Sequence, residues 1–146
     1  MKKKLKARVL LVDDEKEFIG TLSDRLEVRG LKVSCATDGF KALDLIDNQD
    51  FDVIVLDLAM PGMDGLETLK KIKNKDPDAE IIMLSGHGTL KSGVEAMRLG
   101  AEDFLEKPVD LNDLLEKISE ATDKRILLRK KQSKAEIASI LKSKGW

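Results

Sequence analysis

Val53-Ile54-Val55-Leu56-Asp57 is the stretch on which the fold turns: four consecutive apolar residues that run straight into a carboxylate. A short apolar run without alternation, bounded by turn residues, predicts a strand buried on both faces, as in a parallel sheet. A charge at the tip of such a strand is costly unless something uses or neutralises it. Three further runs end in polar groups. Val9-Leu10-Leu11-Val12 ends in Asp13-Asp14-Glu15, Ile81-Ile82-Met83-Leu84 in Ser85, and Asp103-Phe104-Leu105-Glu106 in Lys107-Pro108. In open parallel sheets, ligands bind at the carboxyl ends of the strands, near the point where strand order reverses. Acids, a hydroxyl and an amine delivered to one such edge suit a cation and a phosphoryl group.

Outward from these runs, strand and helix patterns alternate five times. A first strand at about 8–12 precedes a helix carrying Phe18, Ile19, Leu22 and Leu26, with Gly30 as its stop. A second strand at about 31–36 precedes a helix with Ala42, Leu43, Leu45 and Ile46. After the third strand, the turn Met60-Pro61-Gly62-Met63 leads to Asp64, an N-cap with Glu67 three residues on, and a helix with Leu66, Leu69 and Ile72. The fourth strand, about 80–84, precedes a helix from Thr89 with Leu90, Val94 and Met97, which Gly100 ends. The fifth strand, about 103–105, precedes a helix that starts after Asp110 and lines up Leu111, Leu114, Leu115, Ile118 and Ala121. Such units predict an α/β fold: a parallel sheet with right-handed crossovers and helices on both faces.

Composition sets the limits. At 146 residues the chain accommodates one domain with a real core. Aromatic residues make up 3% and Tyr is absent, so the core must be aliphatic. The single Cys, Cys35, excludes an internal disulfide and is expected to pack inertly in the second strand. Met1-Lys2-Lys3-Lys4 is followed by no apolar stretch long enough for a signal peptide or a membrane span, so a cytoplasmic protein without membrane contact is expected. The net charge of −1 is unevenly spread: 1–123 carries −8 and 124–146 carries +7. The last 23 residues are therefore a segment of another kind. There, Ser133-x-x-Glu136 reads as a capping box before Ile137, Ile140 and Leu141, which predicts a short sixth helix at about 134–143 rather than one long fifth helix.

Five blocks taken together resemble the receiver domain of response regulators in two-component phosphorelay signalling. They are Val12-Asp13-Asp14-Glu15, the run from Leu56-Asp57-Leu58 through Met60-Pro61-Gly62-Met63-Asp64-Gly65, Leu84-Ser85-Gly86-His87-Gly88, Gly100-Ala101-Glu102-Asp103-Phe104, and Leu105-Glu106-Lys107-Pro108-Val109. The resemblance spans about 6–123 and implies a flavodoxin-like (βα)5 doubly wound sheet of strand order 2-1-3-4-5, with 124–146 as a basic helical tail or linker. It implies that Asp57 is the phosphoacceptor. Asp14 and Asp57 would bind Mg²⁺ directly, Asp13 through water, and the backbone carbonyl of Ala59 would be a further ligand. Lys107 and Ser85 would meet the phosphoryl group, Phe104 would be a rotating switch, and Lys107-Pro108 would be cis. The implied partners are a sensor histidine kinase or phosphotransfer protein. A homodimer is also implied, through the face of the fourth helix, fifth strand and fifth helix or through the tail. Direct nucleic-acid binding is not expected of this chain, which shows no output module. The implied protein is a stand-alone receiver or the receiver portion of a longer regulator, and not an enzyme in its own right.

Other readings exist for single residues. Asp13 and Asp14 could cap the first helix, since Asp14-x-x-Glu17 fits a capping box. Ser85 alone reads as a loop serine, and Phe104 as a core aromatic. His87, the one histidine, is expected to be exposed between two glycines and is not a transition-metal site. Among whole-protein rivals, a haloacid-dehalogenase-type enzyme needs a second acid two residues after its Asp nucleophile, where this chain has Ala59. An FMN binder needs a hydroxyl- and glycine-rich phosphate loop where this chain has Asp13-Asp14-Glu15. A pseudo-receiver that binds partners without phosphorylation stays open, although it would be expected to lose an acid, the Asp nucleophile or the Lys.

Overall fold

The computed structural model describes residues 6–86 and 89–143. The strands are β1 (Arg8–Val12), β2 (Lys32–Ala36), β3 (Val53–Asp57), β4 (Ile81–Ser85) and β5 (Asp103–Glu106). The helices are α1 (Lys16–Val28), α2 (Gly39–Asn48), α3 (Gly65–Lys75), α4 (Leu90–Arg98) and α5 (Leu111–Ser143). The sheet is parallel throughout, in the order β2-β1-β3-β4-β5. Strand order therefore reverses between β1 and β3.

Alternation along the central strands divides the core into two layers. Leu10, Val12, Ile54, Leu56, Ile81 and Met83 face α2, α3 and α4, where they meet Ala42, Leu69, Ile72 and Ala96. Val9, Leu11, Val53, Val55, Ile82 and Leu84 face α1 and α5, where they meet Ile19, Leu22, Leu26, Leu114 and Ile118. Every residue of β3 and β4 is buried, which is why these strands read as unbroken apolar runs. The helix signals operate as read. Asp64 accepts a bond from the Glu67 amide at 2.8 Å and Thr89 from the Ser92 amide at 3.1 Å. Gly30 and Gly100 follow α1 and α4 with φ of 94° and 103°, a left-handed turn that side-chain-bearing residues rarely adopt.

Two sequence expectations change. The sixth helix does not exist as a separate element, because α5 runs unbroken to Ser143. The Ser133 box goes unused: no Gly or Pro interrupts 111–143, and the polar Arg-Lys-Lys-Gln stretch consists of good helix formers. The helix, roughly 50 Å long, is also tied to the domain beyond its buried face. Arg125 pairs with Asp76 at 2.8 Å, Gln132 bonds Asp78 at 3.1 Å, and Arg129 lies 3.8 Å from Asp52. Part of the basic tail thus answers acids at the amino-terminal edge of the sheet. Cys35 is exposed rather than packed, because β2 is an edge strand that α1 does not fully cover. The α1 cap position is Glu15, so neither Asp13 nor Asp14 serves as the cap. His87 lies outside the described residues.

Gly65, the first residue of α3, fits where no side chain can. Its N–H donates to the Leu58 carbonyl at 2.8 Å, and a Cβ there would collide with the Asp57 carbonyl and sit 2.6 Å from Leu58 Cα. Gly65→Ala is expected to destabilise the fold by about 1–3 kcal/mol, measured by urea denaturation; an unchanged midpoint would show that the β3–α3 connection yields freely.

Candidate functional site

The carboxyl edge of the sheet collects the polar strand ends by register. Val12 lies beside Leu56, Asp57 beside Leu84, and Ser85 beside Glu106. The residues that follow, Asp13 and Lys107, are therefore brought to either side of Asp57. Backbone bonds fasten the loops: Asp13 N–H to the Ala36 carbonyl at 3.1 Å, Leu58 N–H to that of Leu84 at 2.8 Å, and Lys107 N–H to that of Ser85 at 2.8 Å. The Lys107-Pro108 peptide is cis.

Asp13 and Asp57 are buried and Asp14 is exposed; a ligand oxygen of each lies within 4.8 Å of the others. Lys107 is the cation that faces them, with its ammonium 2.7 Å from Asp13 Oδ2 and 3.8 Å from Asp57 Oδ1. A third anion, Glu15, reaches the same ammonium at 3.1 Å. Asp13 Oδ1 accepts from the Glu15 amide at 2.9 Å. Burial, followed by the charge of Asp13, pushes Asp57 from an ordinary 3.8 up to about 6, against the pull of Lys107 and of the Ala59 N–H. For Lys107, burial acts to lower the pKa, but its bonds to Asp13 and Glu15 outweigh that and raise it. One ammonium thus answers an excess of negative charge.

That imbalance tests the site for a metal. Three carboxylates supply hard oxygen donors at close range, and their mutual repulsion is what a divalent cation would relieve. The residues present therefore fit Mg²⁺. Ser85, also expected here, is buried at the end of β4 next to these groups. Ala59 is exposed two residues beyond Asp57, and its N–H bonds the Asp57 carboxylate. Phe104 is half-buried beside Gly93 of α4. The contacts of Glu15 and Phe18 with Lys107 were not read from the sequence. The available signal was a third acid after Asp13-Asp14 and an aromatic one helical turn beyond it.

The model of the response regulator receiver domain matches residues 9–119. The C4-dicarboxylate transport transcriptional regulatory protein DctD of Pseudomonas aeruginosa is 39% identical, over 83% of this chain and 26% of that protein. The transcriptional regulatory protein FixJ of Bradyrhizobium diazoefficiens is 36% identical, over 80% of this chain and 57% of its own length. The chain therefore spans between a quarter and somewhat over half of these relatives. Among solved structures, a CheY-like response regulator receiver domain protein from Methanospirillum hungatei superposes with a TM-score of 0.79 at 33% identity, covering 83% of this chain and 97% of that one. Among the described residues, no helix is long and apolar enough to cross a membrane.

The raised pKa of Asp57 has a sign that can be measured. Between about 4 and about 6 the folded protein holds a proton that the unfolded chain has released, so ionising Asp57 costs stability as pH rises through that window. Without metal, Asp57→Asn is expected to be more stable than wild type by about 2 kcal/mol at pH 7, and the advantage should fade as pH falls to 4. Urea unfolding of both proteins in EDTA across this range checks it. A difference that is flat with pH would mean that Asp57 carries no such penalty.

Proposed function

The chain belongs to the response regulator receiver domain family, and from that premise we propose that Asp57 is the phosphoacceptor, taking its phosphoryl group from a sensor histidine kinase or a phosphotransfer protein. The observation that carries this reading is the convergence of Asp57, Asp13, Asp14 and Lys107 at the strand edge where the sheet order reverses. A receiver of this kind is a signalling module rather than a classical enzyme.

In this reading an Asp57 carboxylate oxygen attacks phosphorus while the bond to the donor breaks; with acetyl phosphate as donor, acetate leaves and an acyl phosphate remains. Asp13, Asp14 and Asp57, with the Ala59 backbone carbonyl, would hold Mg²⁺, Asp13 through water, and the bound ion supplies the neutralisation that an attack between two anions requires. Lys107 compensates the charge of the phosphoryl oxygens, and the Ser85 hydroxyl donates to one of them. Positioning and charge account for the rest, since phosphoryl transfer asks little other covalent chemistry of the protein.

The output is a population shift set off by new charge at the strand tips. Ser85 moves toward the phosphoryl group and Phe104 fills the space it leaves, remodelling the face of α4, β5 and α5. The half-buried Phe104 ring beside Gly93, at a groove bordered by Leu90, Val94 and Met97, supports this course. We read 6–123 as the receiver and 124–146 as a basic tail, of which 124–143 continues the last helix, in a cytoplasmic protein. A homodimer through the α4–β5–α5 face or the tail belongs to the same proposal.

Intact-mass spectrometry after incubation with Mg²⁺ and acetyl phosphate is the test. A single phosphoryl adduct is expected on wild type and none on Asp57→Asn. If no adduct forms even with short trapping times, the acidic pocket serves a module that binds partners without phosphorylation. Beryllofluoride with Mg²⁺ is expected to shift amide resonances between Leu84 and Phe104; unmoved resonances there would remove the switch.

A further inference from the structure

Lys107 lies closer to the acids at the entry to α1 than to Asp57. Its ammonium is 2.7 Å from Asp13 and 3.1 Å from Glu15, but 3.8 Å from Asp57. The Phe18 ring closes a further side, with the ammonium 4.4 Å from its centroid, where the negative face of the ring attracts a cation. Glu15 holds the N-cap position of α1 yet makes no capping bond. At the caps of α2, α3 and α4, by contrast, Asp38, Asp64 and Thr89 each bond the third helical amide. The Glu15 carboxylate is turned to Lys107 instead.

We infer that Glu15 and Phe18 form a resting seat for Lys107, which the ammonium must leave to meet a phosphoryl group, and that they act as positioning residues governing how fast Asp57 is phosphorylated. This rests on the reading of Asp57 as phosphoacceptor. Glu15 and an incoming phosphoryl group are both anionic and compete for one cation, so each contact in the seat is exchanged for a contact to phosphoryl oxygens on the way to the transition state. The face of Phe18 attracts the same charge and is given up in the same step. Asp13 differs, because it belongs to the acidic cluster itself. Glu15 and Phe18 both touch Lys107, and it is through Lys107 that they act.

The test is the initial rate of phosphorylation by acetyl phosphate at saturating Mg²⁺, on the full chain, with adducts counted by intact mass. Glu15→Gln is expected to be about two- to fivefold faster than wild type, the range in which a largely exposed ion pair acts. Glu15→Asp keeps the charge but shortens the reach, and it should also be faster. Phe18→Leu keeps apolar bulk without a ring and should be faster, while Phe18→Tyr restores the ring and should return the rate toward wild type. If only Glu15→Gln is faster, charge at the mouth of the site is responsible and the seat is overturned. Equal or slower rates in all four variants overturn it too. A wild type that takes no phosphoryl group fails the phosphoacceptor reading itself, a distinct outcome visible before any variant is compared.

Discussion

Two buried carboxylates, Asp13 and Asp57, with the exposed Asp14 beside them and one ammonium opposite, form the interaction on which the arrangement of this protein depends. Charge of one sign is expensive to concentrate away from water, and the expense shows in Asp57, which is held near 6 mainly by burial and by Asp13. Such a cluster survives in a folded chain only where the rest of the structure can bear its cost. Here the cost is borne by the apolar sheet beneath it: all of β3 and β4, and Val9 to Val12 of β1, are buried.

The architecture that bears the charge also aims it. Parallel pairing brings successive strand ends to one edge, and the reversal of order between β1 and β3 opens that edge to a ligand. The loops stay short and are fastened by backbone bonds to neighbouring strands, so Asp13, Asp57 and Lys107 are placed by the sheet rather than by flexible segments. The opposite edge has its own electrostatics. Glu80 is raised to about 7 by burial and by Glu102, while Lys124 of α5 bonds Glu102 at 2.7 Å. Together with the Arg125–Asp76 pair, these contacts anchor the long α5 at the end of the domain remote from the acids. The extension is therefore tied to the receiver over 124–132.

Much of this was legible in the chain. Unbroken apolar runs of four residues identified the buried parallel strands, because a strand covered on both faces cannot alternate. Asp64 and Thr89 at helix starts, and Gly30 and Gly100 at helix ends, marked boundaries through local hydrogen bonding and backbone conformation, which depend on nearby residues alone. Asp13, Asp57, Ser85 and Lys107 could be assigned to one edge because each terminates a strand of the same parallel sheet. Three features were not legible. Cys35 is exposed because β2 is an edge strand, a fact of strand order. The Ser133 capping box is overridden because nothing breaks the preceding helix and Gln132 finds Asp78, a partner 54 residues away. The balance among the contacts of Lys107 depends on distances between residues 50 to 94 positions apart.

The sequence by itself thus determined the fold class, the element boundaries up to the start of α5 and the identity of the groups at the strand tips. These follow from periodicity, turn chemistry and residue type, each a local property. Only the tertiary structure decided which of those groups touch, how far Asp57 is driven from its ordinary pKa, and that Glu15 and Phe18 share Lys107 with the acids. Contact distance and desolvation are properties of the packed assembly, created when β1, α1 and β5 come together, and no window of the chain contains them.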